Sequence, residues 1–446
     1  MSAPAGMPIR DDVVMRYVTA FCPDCHAADP ERDLARVKRL AGYLAERDGQ
    51  VWLVRGCAVH GKISTLYDES SEILRYLEQW TAPTKRHTPD VIGNFDPVPL
   101  AYMRGLGEMQ TQHTCILLED ITSACNLTCP TCFADSSPGV HGFVPIARIL
   151  ANVDTRLARE NGRLDVVMIS GGEPTIHPEF LTLVERLLER DIQRILINTN
   201  GVLLARKDTL LKFLERHNTR IETYFQFDGF RLETHLAHRG TDLRSVKKTA
   251  LERLVSAGVF TTLTMTASLG VNDDEIGDVV RYALDTPFIG GVSIQPQFSS
   301  GRSLPLDPQR RLTHGGVLAR LGPQTNNLVT WRDLTALPCS HPHCCSVGYL
   351  IKTDQGEWQS LVSMVGADRL QEHLGLISNR IVDRGVTTVK PFMDIHTMLE
   401  ERLLQCCVHV GAQRDDEHQC LPFCAAQAWA PLSRMKLSER VARRAH

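Results

Sequence analysis

The chain has 446 residues, a formal net charge of −3, 43% hydrophobic and 23% charged residues. That length allows several domains and a large buried core, and the near-neutral balance gives no electrostatic case for nucleic acid. No apolar run approaches a membrane span and Met1–Arg10 lacks the apolar core of a signal peptide, so a cytoplasmic protein is expected, its 14 cysteines being reduced thiols whose tight groups suggest metal ligands rather than disulfides.

Residues 1–110 make the first unit. Cys22-Pro23-Asp24-Cys25 is a CxxC knuckle, and Cys57-Ala58-Val59-His60 adds a CxxH pair. Together they describe a tetrahedral site of three sulfurs and one nitrogen, suited to a mononuclear zinc or iron. The alternative is a pair of reduced thiols with an unrelated surface histidine. Between the knuckles the pattern predicts a helix over Pro30–Arg47 and a strand over Gln50–Arg55. Glu69–Trp80 is predicted helical from the spacing of Ile73, Leu74, Leu77 and Trp80, and the proline-rich Thr81–Pro99 is predicted to be a linker.

In residues 111–302 strands alternate with helices. A strand over Ile116–Ile121 delivers Cys125-Asn126-Leu127-Thr128-Cys129-Pro130-Thr131-Cys132. A cubane iron–sulfur cluster takes four thiolates. Three at CxxxCxxC spacing leave one iron open, where S-adenosylmethionine (SAM) can chelate through its amino and carboxylate groups. An electron from the cluster then yields a deoxyadenosyl radical, chemistry that the cofactor carries and the protein steers. A structural zinc loop is the alternative, although zinc prefers CxxC pairs in a closed site. Helices are predicted over Pro145–Glu160, Pro178–Arg190, Leu203–His217, Leu243–Ala257 and Asp273–Leu284. Further strands are predicted over Leu164–Ser170, Arg194–Asn198, Ile221–Phe227, Val259–Ala267 and Val292–Phe298. The alternation predicts an α/β fold whose parallel sheet is open or curled into a partial barrel.

Such folds bind ligands at the carboxyl ends of their strands. Gly171-Gly172 lets the backbone approach a ligand closely, Glu173 can accept from an ammonium group, and Asn200 closes the next strand. Period two puts Tyr224, Gln226 and Asp228 on one face, and Thr262, Thr264 and Thr266 on a face opposite Leu263 and Met265. Gln226, Asp228, Thr264 and Thr266 are therefore candidates to hold SAM. Each has an ordinary reading too: threonines suit strands, and a strand-end Asp often caps a helix. No further base is evident in this set, so no side chain is assigned as catalytic. Hydrogen abstraction from a C–H bond, which needs little acid–base help, is favoured.

Residues 303–446 hold seven cysteines together with His341, His343 and His409. They predict a C-terminal domain with a second, fully ligated auxiliary [4Fe–4S] cluster, or alternatively a second zinc site. The doublets Cys344-Cys345 and Cys406-Cys407 leave the ligand choice open, and the basic Ser433–His446 is predicted to be an exposed helix.

Cys125/Cys129/Cys132, Gly171-Gly172-Glu173-Pro174 and the six-unit α/β pattern resemble the radical SAM superfamily. The resemblance implies a partial (βα)6 barrel, with a SAM-binding [4Fe–4S] cluster on the loop after its first strand. It also implies a low-potential electron donor such as ferredoxin or flavodoxin. A narrower resemblance rests on the N-terminal knuckles, His113-Thr114-Cys115, Phe225-Gln226-Phe227-Asp228-Gly229, Gly270-Val271-Asn272-Asp273, Gly301-Arg302 and the cysteine-rich tail. It points to the branch holding archaeal tetraether lipid synthases and radical SAM dihydropterin methyltransferases. That branch implies carbon–carbon bond formation, by methyl or alkyl transfer, on a pterin-like or lipid substrate, with peripheral membrane association if the substrate is a lipid. It implies Cys339, Cys344, Cys406 and Cys424 as auxiliary-cluster ligands, with Cys420 as first alternate. Members often carry further cysteines before the barrel, whereas Asp96–Gln112 has none. The alternatives are tetraether-type chain coupling and a non-catalytic electron carrier or redox sensor, for which an ammonium acceptor beside the cluster would have no use.

Overall fold

The computed structural model describes residues 12–28, 39–80, 114–140, 142–303, 306–337, 340–366, 369–370, 385–414 and 417–428. The predicted linker, Asp96–Gln112, His113, Cys339 and Ser433–His446 lie outside them.

The N-terminal unit is a four-stranded antiparallel sheet of β1 (Val13–Ala20), β2 (Leu40–Arg47), β3 (Gln50–Cys57) and β4 (Gly61–Asp68), in that order. The helix expected over Pro30–Arg47 is corrected in its second half, because Leu40–Arg47 is β2. Asp48 and Gly49 take φ of 50° and 77°, the geometry of an Asp-Gly hairpin turn into β3. Pairing with β1 and β3 on both edges then outweighs the helix propensity of Leu, Ala and Glu. The helix Ser71–Glu78 follows, capped by the Ser70 side chain, which accepts from Ile73 N.

The barrel strands β5 (Ile116–Asp120), β6 (Leu164–Ser170), β7 (Ile192–Thr199), β8 (Ile221–Gln226), β9 (Thr261–Ala267) and β10 (Ile289–Pro296) pair in parallel, each with the next. Period two sorts their side chains. Val167, Ile169, Ile195, Ile197, Phe225, Leu263 and Met265 join the large core under the surrounding helices. Val166, Met168, Leu196 and Tyr224 belong to a separate cluster inside the barrel. The helix Leu232–Arg239 was not foreseen. Its buried residues are Thr234, His235, His238 and Arg239, so it carries no apolar stripe to betray it.

The tail adds β11 (Thr335–Ala336), β12 (Ser346–Lys352), β13 (Trp358–Ser360), β14 (Val386–Val389), β15 (Val408–Arg414) and β16 (Glu417–Pro422). β14 pairs in parallel with β10, and β15 in parallel with β5. Antiparallel β12 and β16 lie beyond them. The tail thus extends both edges of the barrel sheet and brings Cys344, Cys345, Cys406, Cys407 and Cys424 to the lumen. Among the described residues, no helix is long and apolar enough to cross a membrane.

Candidate active site and metal centres

The four N-terminal candidates come together. Cys22 and Cys25 flank the start of the helix Pro23–Ala28, and Cys57 and His60 flank the β3–β4 turn. Their ligand atoms all lie within 4.8 Å of one another. His60 Nδ1 is 3.4 Å from Cys22 Sγ and 3.3 Å from Cys25 Sγ, and the Cys25 and Cys57 sulfurs are 3.7 Å apart. Burial and hydrogen bonding to Cys22 and Cys57 push the Cys25 thiol up to about 12. A divalent cation at the centre would reverse that, since a coordinating thiol is deprotonated. Three sulfurs and one imidazole nitrogen in a closed group match a structural zinc site.

A cavity opens at the carboxyl ends of the barrel strands. Cys125, Cys129 and Cys132 line it together with Gly171, Gly172, Asn200, Gln226, Thr264 and Thr266. The fold clamps this cysteine loop from several sides. Gly172 N donates to Thr122 O at 2.7 Å and Glu173 N to Ala124 O at 2.9 Å. A Cβ on Gly171 or Gly172 would collide with the carbonyl oxygens of Thr122 and Ala124. These glycines therefore let the strand end press against the entrance of the cysteine loop. From the other side Arg302 N donates to Cys132 O at 2.9 Å. Thr131 Oγ1 donates to His238 O at 3.2 Å.

Two candidates stand behind the cavity rather than on its wall. Glu173 is 1% exposed. Its Oε1 accepts from Thr175 N at 3.2 Å and from Thr199 Oγ1 at 2.8 Å, and its Oε2 accepts from Asn200 N at 2.8 Å. The carboxylate expected to meet an ammonium group thus ties two strand ends together, and burial raises its pKa. Asp228 is also 1% exposed. It takes two hydrogen bonds of 2.7 Å from Arg239 Nε and Nη2. Burial alone would raise this carboxyl, but the Arg239 charge holds it well below the usual carboxylate range. Arg239 lines the cavity, and its Nη1 lies 3.9 Å from Cys129 Sγ. Asn200 Nδ2 donates to Asn126 Oδ1 at 2.6 Å, fixing the asparagine after the first cysteine. Lys247 underpins the same ends, donating to Asn200 O at 2.7 Å and Gln226 O at 2.6 Å.

The remaining polar groups of this cavity fit a cluster with a polar ligand. Among the described residues, Gln226 Oε1 and Thr264 Oγ1 are buried without a hydrogen-bond partner. Such groups are costly unless something completes them. Burial pushes the Cys125 thiol up to about 12, so a thiolate there requires a metal's charge.

A second cavity, of about 250 Å³, lies deeper in the lumen. Cys344, Cys406 and Cys424 line it, and so do Cys115, Cys345 and Cys407. Burial pushes the Cys345 and Cys424 thiols up to about 12. Arg402 Nε lies 3.4 Å from Cys344 Sγ. Cys420 lies elsewhere, in the large core beside the helix Ile146–Arg159. Arg239, Arg402 and Lys390, which lines both lumen cavities, escaped the sequence reading. Isolated cations carry no periodic signal, and these reach the site through tertiary pairing.

Comparison with known proteins agrees with this geometry. Residues 120–283 match the radical SAM superfamily, and residues 14–69 match the N-terminal zinc ribbon domain of HMPTM proteins. The chain is 22% identical, over 94% of its length and 94% of the relative's, to 7,8-dihydro-6-hydroxymethylpterin dimethyltransferase of Methanocaldococcus jannaschii. It is 31% identical to the GTP 3',8-cyclase of Limosilactobacillus fermentum, over 37% of this chain and about half (49%) of that one. A radical SAM methyltransferase structure from Sphaerobacter thermophilus aligns with a TM-score of 0.35 at 14% identity, covering 68% of this chain and 79% of that one. The chain thus carries a radical SAM domain at residues 120–283, behind an N-terminal zinc ribbon at residues 14–69.

Proposed function

We propose that this protein is a radical SAM methyltransferase that forms a carbon–carbon bond on a pterin-like substrate. The observation that carries the reading is the upper cavity, where three loop cysteines face the unpaired Gln226 Oε1 and Thr264 Oγ1. Cys125, Cys129 and Cys132 would hold a [4Fe–4S] cluster, and Gln226, Thr264 and Thr266 would bind SAM. When bound, these cofactors supply reductive cleavage of SAM to a deoxyadenosyl radical, using a low-potential electron donor. The protein's own part is placement. Arg302 and the glycine pair fix the loop, Asn200 orients Asn126, and Arg239 keeps Asp228 ionised behind the wall. Cys344, Cys406 and Cys424, with a further thiol from Cys339, Cys345 or Cys407, would hold an auxiliary cluster in the deeper cavity.

The 94% coverage of a pterin dimethyltransferase supports the substrate class. A plain electron carrier has no use for the unpaired acceptors beside the cysteine loop. Anaerobically reconstituted protein given SAM and dithionite should form deoxyadenosine, and Cys129→Ala should abolish it. Deuterium on the reacting carbon of a dihydropterin should appear in deoxyadenosine. Cleavage of SAM with no transfer from any pterin would discard the substrate and keep the radical SAM class.

A further inference from the structure

The helix Leu232–Arg239 meets the cysteine loop with its C-terminus. Gly240 ends it at φ 72°, where a Cβ would touch Pro130 Cδ at 3.4 Å and Thr128 O at 3.5 Å, on either side of Cys129. Thr131 Oγ1 donates to His238 O at 3.2 Å, so helix end and loop are also joined by hydrogen bonding. The carbonyl end of a helix carries partial negative charge and disfavours an electron added nearby. Arg239, in that last turn, places a positive charge there instead.

The charge is aimed. Nε and Nη2 of Arg239 each donate to Asp228 at 2.7 Å, and Asp228 is itself held by Thr266 N at 3.1 Å. A guanidinium is planar and its five N–H groups have fixed directions, so pairing one edge decides where the remaining arm points. That arm, Nη1, lies 3.9 Å from Cys129 Sγ. Arg239, Asp228 and Cys129 are all buried, so the contact is shielded from water. The neighbouring cations are spent on oxygens: Lys247 on Asn200 O and Gln226 O, and Arg302 on Cys129 O, Ser136 O and the Asp135 carboxylate.

We propose that Arg239 is a positioning residue that sets the reduction potential of the SAM-site cluster, donating through Nη1 to the Cys129 sulfur while Asp228 aims it. The step concerned is one electron passing from the low-potential donor to the cluster, with no bond made or broken. A hydrogen bond to a cluster sulfur stabilises the added electron, and such bonds are among the levers that tune cluster potentials. The donation strengthens when that sulfur is a thiolate. The inference rests on Cys125, Cys129 and Cys132 holding the cluster, and adds what makes that cluster reducible.

The test is a redox titration of the anaerobically reconstituted full chain with dithionite and titanium(III) citrate, followed by electron paramagnetic resonance. The SAM-site signal is the one that changes on adding S-adenosylhomocysteine, which can chelate the open iron but has no sulfonium bond to cleave. Arg239→Met combined with Asp228→Asn removes both charges, so the net charge is unchanged and no buried ion is left unpaired. Its midpoint should fall by about 60 mV or more, a tenfold shift in the reduction equilibrium. Arg239→Lys, which keeps the charge without the fork, should fall by less. Circular dichroism and bound iron report fold and loading. A wild-type or higher midpoint in the double variant reduces Arg239 to a partner for Asp228 and overturns the proposal. If the double variant binds no SAM-site cluster, Arg239→Lys decides. A lowered midpoint there upholds the tuning, whereas an unchanged one, or loss of the cluster with the fold intact, makes Arg239 a loop anchor and overturns it. A wild type with no cluster that responds to S-adenosylhomocysteine overturns this inference together with the cluster reading.

Discussion

Replacing Arg239 with methionine should destabilise the protein by about 3–5 kcal/mol, because it strands a buried carboxylate. Asp228 is 1% exposed, and two of its hydrogen bonds, both 2.7 Å, come from that guanidinium. Only the bond from Thr266 N, 3.1 Å, would remain among the described donors to its carboxylate oxygens. The sign with pH follows from the two states. In the wild type the folded carboxyl titrates below its ordinary value of 3.8, so the pair's contribution is present above that value and lost as pH falls through the folded pKa. Without Arg239, burial raises the carboxyl, so the variant's deficit grows as pH rises above about 4. Arg239→Met combined with Asp228→Asn should recover much of the loss. Anaerobic urea unfolding at neutral and mildly acidic pH, arranged as a double-mutant cycle, measures this coupling. A loss under about 1 kcal/mol, or single effects that simply add, would refute the reasoning.

Gly172→Ala should cost about 1–3 kcal/mol and reduce the iron bound at the SAM site, since its Cβ would strike Ala124 and displace the entrance of the cysteine loop; unchanged iron content would count against this. Purified protein should hold one zinc in the N-terminal ribbon, and Cys57→Ser should lose the metal and lower the thermal midpoint, because binding energy at a closed site is folding energy; metal analysis and calorimetry decide. Burial, reinforced by the Arg239 charge, lowers Lys247 to about 7 from 10.5. The unfolded chain therefore binds more protons between those values, and the lysine's penalty on stability is relieved as pH rises from about 7 to 10.5. Lys247→Met should flatten that part of the pH–stability curve, and an unchanged slope would show that this lysine does not titrate there.

The sheet and the cysteine loop were legible because their signals are local. Val167, Ile169, Leu263 and Met265 mark the helix-facing side by alternation alone, and each predicted barrel strand overlaps an observed one. CxxxCxxC and the glycine pair likewise need only short spacing, and they meet at one cavity. Glu173 and Asp228 were legible as polar strand-end residues, but not as buried anchors. Their partners Thr199 and Arg239 come from other elements, and the helix bearing Arg239 buries polar residues where a hydrophobic stripe was sought. At β2 the Asp48-Gly49 turn was the available signal, and helix propensity obscured it.

The sequence by itself determined the three cysteine groups, the alternation of the barrel and the polar inner faces of β8 and β9, since each depends on spacing within a few residues. Tertiary structure alone decided that β14 and β15 extend the barrel sheet on both edges, that six tail and pre-barrel thiols share one lumen cavity, and that Lys390 stands between that cavity and the one beside the cysteine loop. The physical reason is range. Side-chain period is set by the geometry of a single strand, whereas the partner of an edge strand is chosen by backbone hydrogen bonding and packing between segments far apart in the chain: β15 meets β5 across nearly the whole barrel sequence, and no local pattern records that choice.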